Sequence, residues 1–180
     1  MAANAPRSPR LGRLEEPNRS KRRDSLLSGV PFLSSPPQVV KRMLKLAKVG
    51  PSDVVYDLGC GDARILIEAV EVFKAREAVG YEIRDDAYKR ALEEVAKADL
   101  LRRITISNND FFEADLSRAS VISLYMDSLT NEKLKRKLEK ETSPGTRIVS
   151  HDFPMPGWQP LIQDILPDQS HTIYMYVVPA

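Results

Sequence analysis

Short runs of β-branched and aromatic residues, bounded by turn formers, alternate along most of the chain with stretches whose apolar positions fall three and four apart. Val54, Val55 and Tyr56 form one such run, which ends at Asp57 and breaks at Gly59 and Gly61. Ile65, Leu66, Ala69, Val70 and Phe73 then recur at helical spacing, so the pattern predicts a strand, a glycine turn and a helix over about 61–73. The same reading predicts a strand over 78–83 and a helix over 86–97 with Tyr88, Ala91, Leu92 and Val95 on one face. Strands follow over 103–107 and 119–126, the second apolar on both faces as a central, helix-covered strand should be. A helix over 131–140 precedes a strand over 147–153, entered through Pro144-Gly145. Two last segments, 161–166 and 172–178, flank the breaker-rich P-D-Q-S-H, and the second reads as an antiparallel partner. Earlier in the chain, Pro36-Pro37 opens a helix through Val39, Val40, Met43, Leu44 and Ala47 that Gly50-Pro51 ends. Alternation of this kind predicts right-handed βαβ units in a mostly parallel sheet, an α/β fold with helices on both faces.

A strand that stops at a carboxylate, turns on glycines and enters a helix turns backbone N–H groups toward a crevice. The dinucleotide fingerprint and the Lys-Ser or Lys-Thr pair of a phosphate loop are both missing. Asp57, two residues before the first glycine, would repel a phosphate and attract an ammonium group. Glu82 follows Gly61 by 21 residues, the usual distance for an acid that chelates ribose hydroxyls. Asn109, Asp110, Phe111 and Phe112 then offer a polar pair and aromatic rings where an adenine would lie. An amino acid joined to a ribose points to S-adenosyl-L-methionine as cofactor.

With these residues in place the chain resembles the class I S-adenosylmethionine-dependent methyltransferases. More closely, it is similar to the archaeal broad-specificity protein-lysine methyltransferases and the mitochondrial lysine methyltransferases of the ATP synthase c subunit. The closer match rests on V-P-F-L-S-S-P-P-Q-V-V-K-R-M-L at 30–44, D-L-G-C-G-D-A-R at 57–64, N-D-F-F-E-A-D at 109–115, K-L-E-K-E at 137–141 and P-G-T-R-I-V-S-H-D-F at 144–153. It implies a Rossmann-like, seven-stranded sheet with an antiparallel last strand. It also implies transfer of methyl groups to lysine ε-amines of proteins, with broad tolerance for exposed lysines. Ser35, Asp57, Gly59, Gly61, Glu82, Ile83, Asn109, Asp110 and Phe111 are then expected to hold the cofactor. Phe32, Tyr125 and Ser128 are expected at the methyl-lysine mouth, where the family more often has Tyr at the position of Phe32 and Thr at that of Ser35. Ala63 stands where the family commonly has Gly, a methyl group tolerable at a helix start.

His151 and Asp152 fall near the end of the fifth predicted strand. They either face the methyl group or hydrogen-bond the strand end and orient Trp158. Asp127 either faces the mouth or caps the following helix. After strand four the chain reads S-L-Y-M-D-S, without the Asp/Asn-Pro-Pro-Tyr tetrad that grips planar amino groups, which counts against a base or amide acceptor. The alternatives are an RNA or small-molecule methyltransferase and a non-catalytic binding module. No metal ligands are assigned.

Composition changes this picture little. At 180 residues the chain forms one domain, assigned to 29–180, behind a basic tail over 1–28 that is too polar to pack. The tail carries a local +4 against +2 for the whole chain, so the remainder, at 2 − 4 = −2, is slightly acidic and nucleic acid is not an expected partner. The Lys-rich stretch 133–140 is interleaved with glutamates and reads as a solvated face. One cysteine excludes an intrachain disulfide, and no apolar run is long enough to span a bilayer. An intracellular monomer is expected, cytoplasmic or, if the arginines of the tail serve as a transit signal, mitochondrial.

Overall fold

The computed structural model describes residues 34–179, so the tail and Phe32 lie outside the described residues. Its elements are α1 (Pro37–Leu46), β1 (Val54–Leu58), α2 (Arg64–Glu71), β2 (Glu77–Tyr81), α3 (Asp85–Lys97), β3 (Ile104–Ser107), β4 (Val121–Leu124), α4 (Ser128–Glu141), β5 (Arg147–His151), β6 (Ile162–Ile165) and β7 (Thr172–Val177). The strands form one seven-stranded sheet in the order β3-β2-β1-β4-β5-β7-β6. β1 to β5 run parallel, and β7 lies antiparallel between β5 and β6. The α/β expectation holds, including the antiparallel ending.

Period-2 alternation divides the core between the two faces of the sheet. Val55 of β1 packs with Val39, Met43 and Leu44 of α1, with Leu66 and Val70 of α2 and with Val95 of α3. Val54, Tyr56 and Leu58 point to the other face, against Ile122, Leu124, and Leu134 and Leu138 of α4. The basic residues Lys133, Arg136 and Lys140 of α4 face solvent, as its charge interleaving predicted.

Predicted boundaries shift by a few residues for physical reasons. α2 begins at Arg64 rather than 61, because Ala63 takes φ +65, outside the helical region. Ala63 is completely buried within the core, so its methyl group is packed while its backbone carries left-handed strain, a cost the sequence reading did not foresee. Asp127 caps α4, accepting a hydrogen bond from the Thr130 amide at 2.9 Å, which decides between its two expected roles.

Two ends of the sheet are built differently. At the amino ends of the strands Asp53 accepts hydrogen bonds from the Gly50 amide at 2.8 Å and the Ser120 hydroxyl at 2.7 Å, and it pairs with Arg147. At the carboxyl ends the glycine turn folds back over β2. There a Cβ on Gly80 would lie 2.6 Å from both Cys60 Sγ and Leu66 Cδ1. Gly80→Ala is therefore expected to overpack this contact and destabilise the fold by roughly 1–3 kcal/mol. Denaturant unfolding that returned a wild-type midpoint would contradict it.

Candidate active site

The site lies where β1 and β4, adjacent in the sheet, send their chains to opposite sides, the crevice position expected for an open α/β sheet. Gly59 and Gly61 adopt φ +84 and +56, conformations that glycine enters without the penalty other residues meet. The Gly59 and Cys60 amides both donate to the Tyr81 carbonyl at 2.8 and 2.9 Å. The next amide, Gly61, donates to Glu82 Oε2 at 3.0 Å. Glu82 Oε1 accepts from the Arg84 amide at 2.9 Å, and the Asn108 side chain donates to the Glu82 carbonyl at 3.0 Å. Glu82 thus stands just beyond β2 and clamps the glycine loop to the start of α3. Each carboxylate oxygen keeps a second lone pair for a ligand hydroxyl.

Asp57 is 4% exposed and accepts a hydrogen bond from Ser123 Oγ at 2.6 Å. Burial pushes its carboxyl up to about 7 against the Ser123 hydrogen bond, and the charges of Glu82 and Asp62 add to the rise. Among the described residues no cation contributes to that balance. Burial likewise raises Glu82, against its two amide hydrogen bonds. A buried acid of this kind supplies what a ligand ammonium needs, and the ligand supplies the missing counter-charge. Cys60 beside it is a buried thiol, raised by burial and unsuited to nucleophilic work.

The cleft is lined by Ser34, Ser35, Asp57, Gly59, Gly61 and Tyr125, with Cys60, Asp62, Arg64 and Ile65 completing its wall. Arg64, which the sequence reading passed over, forks onto Asp62 at 2.9 and 2.5 Å. It also donates to the Ser35 carbonyl at 3.0 Å, pinning the segment before α1 over the loop. Asp62 lies below the usual range because Arg64 outweighs the opposing effect of burial. The D-A-R at the end of the glycine motif was the available signal.

Of the other predicted cofactor residues, Ile83 follows Glu82 and Asn109 donates to Ser107 Oγ at 2.9 Å. Asp110 accepts from the Phe112 amide at 2.9 Å and so starts a short 3-10 turn that carries Phe111. These sit beyond the carboxyl ends of β2 and β3 on one flank of the cleft. Ser128 is the first residue of α4 and is exposed; it does not join Tyr125 in the cleft lining.

His151 and Asp152 do not orient Trp158. The indole donates to Glu139 at 3.1 Å and packs edge-on against Tyr176. The reason is that His151 points from β5 toward the segment before α1, its Nδ1 2.8 Å from Ser35 Oγ, under the Tyr125 ring at a centroid distance of 4.0 Å. Burial holds His151 down to about 4, so the imidazole is neutral. Asp152 does bond the strand end, accepting from the Thr172 amide at 2.9 Å.

Two acids at opposite ends of a glycine loop, on a sheet of this order, define a class I S-adenosylmethionine-dependent methyltransferase. The residues present fit the cofactor: Asp57 can take its ammonium group and Glu82 its ribose hydroxyls. Residues 57–162 match the ANTKMT methyltransferase domain, and the chain belongs to that family. It is 45% identical over 156 residues to a protein-lysine N-methyltransferase of Saccharolobus islandicus, covering 86% of this chain and 97% of that one. It is 30% identical over 140 residues to the adenine nucleotide translocase lysine N-methyltransferase of Mus musculus, of which it spans only 60%, with 78% of this chain aligned. A crystal structure described as an RNA methyltransferase from Salinibacter ruber in complex with S-adenosyl-L-homocysteine superposes with a TM-score of 0.79 at 41% identity, covering 82% and 94% of the two chains.

Asp57 also sets a pH dependence. Its folded value near 7 exceeds the ordinary 3.8, so ionisation is penalised only in the folded state and stability falls as pH rises through that interval. Asp57→Asn keeps an acceptor for Ser123 and removes the titration. The ligand-free variant should melt above wild type at pH 8, with the gap closing toward pH 4. Thermal scans across that range would refute this if the two proteins ran parallel.

Proposed function

We propose that the chain is a protein-lysine N-methyltransferase of broad specificity, transferring methyl groups to exposed lysine side chains. The observation that carries this reading is the 45% identity that runs through 97% of a protein-lysine methyltransferase.

The bound cofactor supplies a methyl group already activated as a sulfonium, so the protein's tasks are position, dryness and a neutral nucleophile. A lysine amine with a pKa near 10.4 lies about 3 units above neutral pH, so presenting it deprotonated costs roughly 4–5 kcal/mol. Tyr125 and Ser35 wall the mouth at which water is displaced, and desolvation there lowers the amine's pKa. Among the described residues, Asp127 is occupied as a helix cap, and neither it nor Asp152 lines the cleft. Loss of the proton therefore rests on the environment rather than on a dedicated base.

The RNA reading is favoured by the description of the Salinibacter structure. Incubation of whole-cell extract with methyl-labelled cofactor, followed by separate nuclease and protease digestion, distinguishes the two. The label is expected in protein, on lysine side chains by mass spectrometry; label lost to nuclease would overturn the proposal. Glu82→Ala should weaken cofactor binding by about tenfold or more, the worth of one buried charge-assisted hydrogen bond at roughly 1.5–3 kcal/mol. A calorimetric titration that leaves affinity unchanged would remove Glu82 from the cofactor site.

A further inference from the structure

The chain has only two histidines, and the fold brings them to one point. His151 ends β5, His171 immediately precedes β7, and the antiparallel pairing of those strands places both beside Asp152. His151 Nε2 lies 2.9 Å from His171 Nδ1. His171 Nδ1 is 3.0 Å from Asp152 Oδ2, and that oxygen is 3.2 Å from His151 Nε2. Three ligand-type atoms therefore form a nearly equilateral triangle.

A single N–H shared between the other two atoms satisfies two edges of the triangle and leaves the third between two acceptors, and Asp152 Oδ2 also faces the Tyr125 hydroxyl at 3.5 Å. If only His171 Nδ1 carries a proton, His151 Nε2 faces the carboxylate lone pair to lone pair. If only His151 Nε2 carries it, the same conflict moves to His171. If both are protonated, two N–H donors sit side by side. Every arrangement leaves one edge between like groups. The two rings are inclined at 56°, with centroids 4.7 Å apart.

We infer that His151, His171 and Asp152 form a binding site for a first-row divalent cation of the zinc class. Two imidazole nitrogens and one carboxylate oxygen are the donor set such ions take, and tetrahedral bonds of about 2.0–2.1 Å require donor separations of roughly 3.3–3.4 Å. The observed edges of 2.9, 3.0 and 3.2 Å are shorter, so an ion would spread the three donors apart by up to about half an ångström. Outer partners are in place as well. The far nitrogen of His151 meets Ser35 Oγ at 2.8 Å, and the second oxygen of Asp152 accepts from the Thr172 amide at 2.9 Å, the contacts that orient metal ligands elsewhere. Asp152 holds φ +59 to make this approach, strain of the kind that gathers at ligand sites. His151 is fully buried, while the side chains of Asp152 and His171 remain 26% and 22% exposed, leaving a route for the ion and a position for water. Bound there, the cation ties the ends of β5 and β7 together and, through Ser35, fixes the segment that walls the cofactor cleft.

Tag-free full-length protein, stripped with a chelator and dialysed, is to be titrated with Zn2+ by calorimetry and with Co2+ by visible absorption. One ion per chain is expected, with an intense cobalt band of four- or five-coordinate geometry and a rise in melting temperature on adding zinc. His171→Ala and Asp152→Asn, at partly exposed positions, should each weaken zinc binding by roughly tenfold or more and abolish the rise, while S-adenosyl-L-homocysteine still binds. Absence of saturable binding by the wild type, or equal binding by His171→Ala, would overturn the inference. The readouts are independent of methyl transfer, so failure here leaves the lysine reading standing.

Discussion

The clamp of Glu82 on the glycine loop is the contact from which the rest of the site takes its shape. One carboxylate oxygen holds the Gly61 amide and the other the Arg84 amide, so a single side chain joins the turn after β1 to the start of α3. The neighbouring amides of Gly59 and Cys60 both converge on the Tyr81 carbonyl. For the loop to come this close, β2 must present no side chain beneath it, and Gly80 meets that condition against Cys60 and Leu66. Depth of the cleft, register of α2 and burial of Asp57 all follow from this approach.

Comparison of Asp53 with Asp57 separates structural from functional use of one residue type. Both are buried, at 4% exposure, on the same strand or at its edge. Asp53 is saturated by an arginine, a hydroxyl and an amide at the amino end of the sheet, as a buried charge must be if it is to support folding. Asp57, at the carboxyl end, has a single hydroxyl and two acidic neighbours. An unneutralised acid in the interior opposes folding, and a ligand ammonium group would supply the pairing it lacks.

Much of this was legible in the chain because it depends on local periodicity. Alternation marked the strands, Pro36-Pro37 marked a helix start, and the spacing from Gly61 marked Glu82, whereas Asp127 was open between two roles until the fold made it a cap. What escaped depends on contacts that no local pattern encodes. Arg64 reaches Ser35 across 29 residues and His151 reaches it across 116, so both are products of topology. Ala63 shows the same limit in backbone terms: its composition reads as an ordinary helix start, whereas its φ is fixed by the loop that Glu82 pulls into place. Phe32, read from resemblance alone, lies outside the described residues.

The two long-range contacts on Ser35 bear on how so small an enzyme positions its mouth. Its carbonyl is held by Arg64, which belongs to the cofactor loop, and its hydroxyl by His151, which belongs to β5. The segment before α1 is thereby tied to two parts of the fold that are otherwise remote. Tyr125 is stacked on that same histidine, so both walls of the mouth share one buried support. Under the lysine reading, a mouth braced in this way would need no readout of the surrounding sequence. The same reading agrees with the chain after β4, which carries no tetrad of the kind that grips a planar base.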